Sequence, residues 1–308
     1  MDPITMLLVL MGILGAVFTW VFVKDVMAHK DEKVLGENGQ EVKGNLVKSG
    51  IIGFVTNFFD TLGIGSFAPT TAAFKGTKVV DIGIVPGTLN VAHTLPVVFM
   101  SFLYIGYVDI DFFTLVALIG SSVVGAWFGA GIVAKFDRNT IQLVMGVALL
   151  VVAAVMAGRN AGIIGWLPEG TGTLGLTGGS LVIGVVGFFI LGALMTAGIG
   201  LYSPAMALVF LLGLEQAAAF PIMMGACAFL MCVAGMRFVK EGKYARKQSM
   251  SIGLLGLPGV WLAFQFFRGV FAMGMLIWLV VVVITITAIM MLSSWAKSRK
   301  ETQAGQVG

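Results

Sequence analysis

Charge is scarce in this chain. Asp, Glu, Lys and Arg together make up 11% of its 308 residues, where soluble domains carry about 25%. So few charges cannot cover a water-exposed surface, and 58% of the residues are hydrophobic. Lipid is therefore the solvent this composition calls for. Cysteine is nearly absent too. Cys227 and Cys232 lie in one apolar run, which argues against a disulfide framework or a zinc site; both read as small buried hydrophobes. Histidine occurs twice, as His29 in a polar stretch and His93 in an apolar one. The net charge of +4 is no nucleic-acid footprint, because the basic residues sit between apolar runs and at the C-terminus, where they set membrane orientation. No metal site and no cofactor are expected.

What is present is apolar sequence in lengths that span a bilayer, which takes about 20 residues. Windows near 5–23, 51–73, 82–105, 112–134, 139–158, 180–211, 216–236, 249–267 and 270–294 qualify. The first lacks a basic n-region and a small-x-small cleavage pattern before Lys24, so it reads as a retained helix rather than a signal peptide. The expected organisation is an N-terminal transmembrane helix and polar cytoplasmic linker over 1–50, a first transmembrane repeat over 51–158, and a connecting loop over 159–179. A second repeat covers 180–296 and a cytoplasmic tail 297–308. The fold class is an all-α polytopic membrane protein: two four-helix repeats with broken first helices, plus one extra N-terminal helix. An even helix count per repeat predicts parallel repeats; re-entrant segments would reverse that argument. With the N-terminus outside, most Lys and Arg fall inside, while Lys75, Lys78, Lys135, Arg138 and Arg268 fall outside.

The repeats announce themselves by a pattern. Thr61, Gly63, Ile64, Gly65 and Pro69 recur 135 positions later as Thr196, Gly198, Ile199, Gly200 and Pro204. Gly125-Ala126-Trp127 is echoed by Gly259-Val260-Trp261, and the repeated tryptophans are expected to pack against the other half, with a lining role as the second reading. Gly and Pro weaken helices. Matching interruptions in two halves of an apolar chain point to a transporter's binding site.

Around the first interruption the apolar run carries Asn57, Asp60, Thr61, Ser66, Thr70 and Thr71. A half-helix restarting near Pro69 offers backbone N–H groups and a positive dipole end to an anion, and the hydroxyls of Ser66 and Thr70 add donors. The second copy keeps Tyr202, Ser203 and Pro204 but has Met195 for Asp60 and Leu201 for Ser66, so the first repeat carries most of the polar recognition. Asn90, His93 and Thr94 are three and four apart, which places them on one helical face. Expected substrate-binding residues are thus Asn57, Thr61, Gly63, Gly65, Ser66, Thr70, Asn90, His93, Thr94, Gly198, Gly200, Tyr202 and Ser203. Asp60 and His93 are candidates for proton coupling, as intramembrane ionisable groups. An ionised Asp60 would oppose an anion, so it must be protonated, paired or turned away.

On Gly63-Ile64-Gly65, Gly198-Ile199-Gly200 and the turn Gly106-Tyr107-Val108-Asp109, the chain resembles the TauE/SafE family of sulfite and organosulfonate exporters, the toluene-sulfonate uptake permease type. The resemblance covers residues 51–294. Where members usually continue with further glycines, this chain has Ser66 and Phe67. The resemblance implies a multi-pass permease of the prokaryotic inner membrane that moves small sulfur-containing anions, with the substrate held at the broken helices between the repeats. Membrane lipid is the other expected partner, a homo-oligomer is left open, and no nucleic acid is expected. A channel or a permease for another small ion or metabolite is the alternative. An enzyme is not expected, because Gly65-Ser66-Phe67-Ala68 does not supply the Gly-x-Ser-x-Gly of a nucleophile elbow.

Overall fold

The computed structural model describes residues 2–31, 45–133, 138–163, 172–196, 200–272 and 275–305. Among these are eleven α-helices: α1 (Pro3–Ala28), α2 (Leu46–Thr61), α3 (Phe67–Thr77), α4 (Val85–Ile105), α5 (Phe112–Val133), α6 (Arg138–Asn160), α7 (Gly178–Thr196), α8 (Tyr202–Leu211), α9 (Ala219–Glu241), α10 (Arg246–Ala272) and α11 (Leu276–Gly305). Seven of the helical segments are long and apolar enough to cross a membrane. The protein is an all-α, multi-pass membrane protein. The expected spans 51–73 and 180–211 are each two helices, α2 with α3 and α7 with α8. The first begins at Leu46, inside the stretch expected to be linker.

The chain folds as two compact units. One comprises residues 1–108 and 224–267, the other 109–223 and 268–308. Each unit therefore draws helices from both sequence repeats.

In the first unit, α2 and α3 form a hairpin. The Ser251 hydroxyl donates to the carbonyl of Leu46, where α2 begins, at 2.7 Å. Three residues earlier on α10, the Gln248 amide donates to the carbonyl of Val79, just past α3, at 3.2 Å. Both ends of the hairpin thus lie at the start of α10. Phe74, Val79, Val80, Val85, Leu89, Ala92, Ala245 and Ile252 pack there as one apolar cluster, with Ile52 and Phe67 against it. The two backbones of α2 and α10 meet through glycine. A Cβ on Gly53 would lie 2.5 Å from the carbonyl oxygen of Ile252, and one on Gly259 would run into the carbonyl oxygen of Phe54. At the far end of α1, Arg246 and Tyr244 both bond Asp25, at 2.7 and 2.6 Å.

In the second unit, α7 and α8 also form a hairpin. A Cβ on Gly187 would lie 2.5 Å from Leu208, and one on Gly184 would lie 3.4 Å from Leu212. The strand-like pairing of Glu215 N–H with the Thr173 carbonyl at 3.0 Å brings the two ends together. Here α5 takes the place that α10 has in the first unit: Gly125 abuts the carbonyl of Phe189, and Gly192 abuts that of Ser122. Phe189 is the repeat counterpart of Phe54, and Gly125 that of Gly259. The Gly-x-Trp motifs are therefore helix-contact sites through their glycines. Their tryptophans do not pack inward, contrary to expectation; Trp127 is 75% exposed and Trp261 50%.

The hairpins change the topology. A segment that returns to the end it left adds no crossing, so each repeat has three crossings instead of four. An odd count inverts the second repeat with respect to the first. The first unit shows this directly. The sequence-equivalent helices α4 and α9 run antiparallel, with Thr94 beside Met231 and Gly87 beside Phe238. The expectation of parallel repeats is thereby corrected. Within the first unit the hairpin returns Lys75 and Lys78 to the end where the 237–247 cluster lies, which adds two basic residues to that face.

Candidate functional site

The tip of the first hairpin is built by glycine. Gly63 has φ 98° and Gly65 φ 89°, left-handed conformations that favour glycine. Gly63 N–H bonds the carbonyl of Asp60 at 2.8 Å and Ile64 N–H that of Phe59 at 3.1 Å, the paired bonds that close a helix C-terminus. The Tyr104 hydroxyl donates to the carbonyl of Thr61 at 2.7 Å, so a side chain from α4 satisfies part of what the break released. Helix α3 restarts after Ser66, whose side chain makes no cap bond to α3. Pro69 stands in the first turn, where a missing N–H costs nothing.

Three buried side chains join the hairpin to α4. The Asn57 amide donates to the Gly53 carbonyl at 2.7 Å, which turns its oxygen toward His93 Nδ1 at 2.9 Å. Because that oxygen only accepts, Nδ1 carries the proton. In the neutral ring Nε2 then accepts from the Thr70 hydroxyl at 3.1 Å. Asn57, Thr70 and His93 are fully buried, so an unmade bond in this relay would be costly. His93 is held from both sides and tied to α2 and α3 at once.

Asp60 lies beside this relay, on the last turn of α2, and is 2% exposed. Its Oδ2 has no partner. No ion pair with Lys or Arg reaches it among the described residues.

The remaining expected residues divide. Thr61 is buried and returns its hydroxyl to the Asn57 carbonyl. Asn90, His93 and Thr94 do not converge as their spacing predicts. Asn90 bonds back to the Pro86 carbonyl of its own helix, Thr94 turns to Asn90 and to Met231 on α9, and only His93 meets the hairpin. In the second unit Tyr202 and Ser203 are buried and Ser203 donates to the Thr287 hydroxyl at 2.7 Å, whereas Gly200 is exposed. Gly198 lies outside the described residues. The counterparts of Asn57, Thr70 and His93 are Gly192, Ala205 and Ala228, so the relay is missing from the second repeat as a whole. Sequence reasoning missed Tyr104 and Thr287. The signal for Tyr104 was indirect: a helix ending inside apolar surroundings needs donors for its last carbonyls.

Among the described residues no cluster of His, Cys, Asp and Glu could hold a metal ion. Cys227 and Cys232 are buried and not joined in a disulfide. Comparison of the chain with protein-family profiles, curated proteins and solved structures returned no significant match. The seven apolar helices fit a membrane transporter or permease in general.

Proposed function

We propose that this protein is a secondary transporter, a proton-coupled permease for sulfite or small organosulfonate anions in a prokaryotic inner membrane, of the TauE/SafE type that its sequence resembles. The observation that carries this reading is the break at matched positions of two inverted repeats, each followed by a helix that starts beside a buried serine. A helix start presents N–H groups without intrahelical acceptors and a favourable dipole. A sulfonate, compact and rich in acceptor oxygens, suits donors of that kind, and binding without a fixed Arg stays weak enough for release. Transport is favoured over hydrolysis because His93 spends both ring nitrogens on Asn57 and Thr70, which withholds it from Ser66 as a general base.

A channel or permease for a small cation is the competing reading, favoured by the unpartnered oxygen of Asp60. Purified protein in proteoliposomes separates the two. Accumulation of labelled sulfite or sulfoacetate under an imposed proton gradient, weakened about tenfold in Ser66→Ala (the loss of one charge-assisted bond), is the expected result. Cation currents without anion uptake would replace this reading with the other.

A further inference from the structure

The two arms of the first hairpin are held unequally. Gly53 of α2 and Gly259 of α10 bring those two backbones into contact, since a Cβ on either would run into a carbonyl oxygen of the other helix. Helix α3 is held by much less. Only Thr70 and Phe74 of its eleven residues are buried, and Gly76 has nothing within 4 Å of its Cβ position. Its counterpart α8 buries seven residues of ten.

Both ends of α3 are joints. Gly63 and Gly65 precede it at positive φ, and the Cβ position of Gly65 is open. Lys78, its C-cap, has φ 53°, the one positive value at a non-glycine among the described residues, and that conformation is strained for a residue with a Cβ. Just beyond it, the Gln248 amide donates to the Val79 carbonyl at 3.2 Å. Phe74, Val79 and Val80 enter the apolar cluster with Leu89 of α4 and Ile252 of α10.

The seam at the base of the hairpin is short of hydrogen bonds. Ser49 Oγ, Gln248 Oε1 and Ser249 Oγ have no partner, although each of these residues is at most 3% exposed. Ser49 lies one turn before Gly53, on the face of α2 that meets α10, and Gln248 lies one turn before Ile252, which Gly53 touches. Buried oxygens left this way are costly. Water admitted to the seam would satisfy them.

We propose that α3 is the gate of this transporter: it pivots on Gly63 and Gly65 while α2 stays on α10, and its outward swing opens a passage for the anion from the basic end of the first unit to Thr70 and His93. The inference rests on the anion-permease reading above and gives it a moving part. Thr70, close to the pivot, keeps its bond to His93. Phe74, one turn further along, withdraws from the apolar cluster, and the Gln248 amide releases Val79. Lys75 and Lys78 ride on the arm, so the mouth is positive where the anion arrives. The strain at Lys78 and the unmet oxygens of the seam oppose the apolar cluster, which keeps the open and closed states close in free energy.

Spin labels at exposed positions test this in lipid nanodiscs, in a background lacking Cys227 and Cys232. Ala72→Cys with Leu254→Cys reports α3 against α10, and Ile51→Cys with Leu254→Cys reports α2 against α10. Pulsed electron resonance with and without sulfite is expected to give a second Ala72–Leu254 distance, displaced by about 5 Å or more, and one unchanged Ile51–Leu254 distance. Leu89→Cys and Ala207→Cys start from the same 6% exposure, on α4 and α8. The first is expected to react with sulfonatoethyl methanethiosulfonate at least about tenfold faster, because only its cover opens. A single Ala72–Leu254 distance, or Leu89→Cys no faster than Ala207→Cys, overturns the gate. Movement of both spin-label pairs together also overturns it, because the hairpin would then move as one body. Each of those results leaves the anion permease standing wherever labelled sulfite is still taken up. An arm that moves in protein taking up neither sulfite nor sulfoacetate keeps the gate, for another solute, and removes the permease reading.

Discussion

Gly259 lies against the carbonyl oxygen of Phe54, so close that the space for a methyl group is filled by backbone. Gly125 and Phe189 repeat the contact in the second unit. Since backbone cannot swing aside as a side chain does, alanine at either glycine must push two helices apart. Gly259→Ala and Gly125→Ala are each expected to lower stability by about 1–3 kcal/mol, the usual cost of overpacking. Gly120→Ala, on α5 with nothing near its Cβ position, should be neutral or stabilising by up to about 1 kcal/mol through helix propensity. Thermal or denaturant unfolding of the three variants in one detergent checks the contrast.

The hairpin places Lys75 and Lys78 at the same end of the first unit as Arg246, and counting crossings along the chain predicts Arg159 on the opposite membrane face. Single cysteines at these four positions, in a background lacking Cys227 and Cys232, should react with an impermeant maleimide accordingly. Those at 75, 78 and 246 are expected to label together from one side, and the one at 159 from the opposite side. Labelling of 159 together with 246, with 75 and 78 reacting from the opposite side, would restore the unbroken spanning helix that the sequence windows imply.

His93 ties three helices, and its removal strands two buried partners. His93→Ala should cost about 2–4 kcal/mol, from the unmet bonds of Asn57 and Thr70 and the cavity left behind. The measurement is unfolding stability compared with the pH dependence of sulfite or sulfoacetate uptake. A large stability loss with the pH dependence intact assigns His93 to architecture. Normal stability with the pH dependence flattened would assign His93 to proton coupling.

Much of this molecule is legible along the chain. The 135-residue offset of Thr61, Gly63, Gly65 and Pro69 locates both breaks, because glycine at positive φ and proline act on the backbone locally. The polarity of the first repeat against the second is equally plain in Asp60 and Met195, or Ser66 and Leu201. The helical face expected of Asn90, His93 and Thr94 fails for a simple reason. Adjacent residues on a helix point about 100° apart, so His93 and Thr94 can each reach a different neighbour when helices surround α4 on several sides.

The sequence by itself determined the solvent, the helical class, the duplication and where the helices stop, since hydrophobic length and local backbone preference need no knowledge of neighbours. Only tertiary structure decided where the chain goes after each stop. Whether a broken helix continues across or folds back depends on which surfaces bury its two arms, and here α10 and α5 offer glycine-lined tracks to α2 and α7. That choice inverts the repeats, gathers Lys75 and Lys78 to the basic face, and joins Asn57 and Thr70 to His93, because contacts between segments distant in sequence are settled by packing and not by composition.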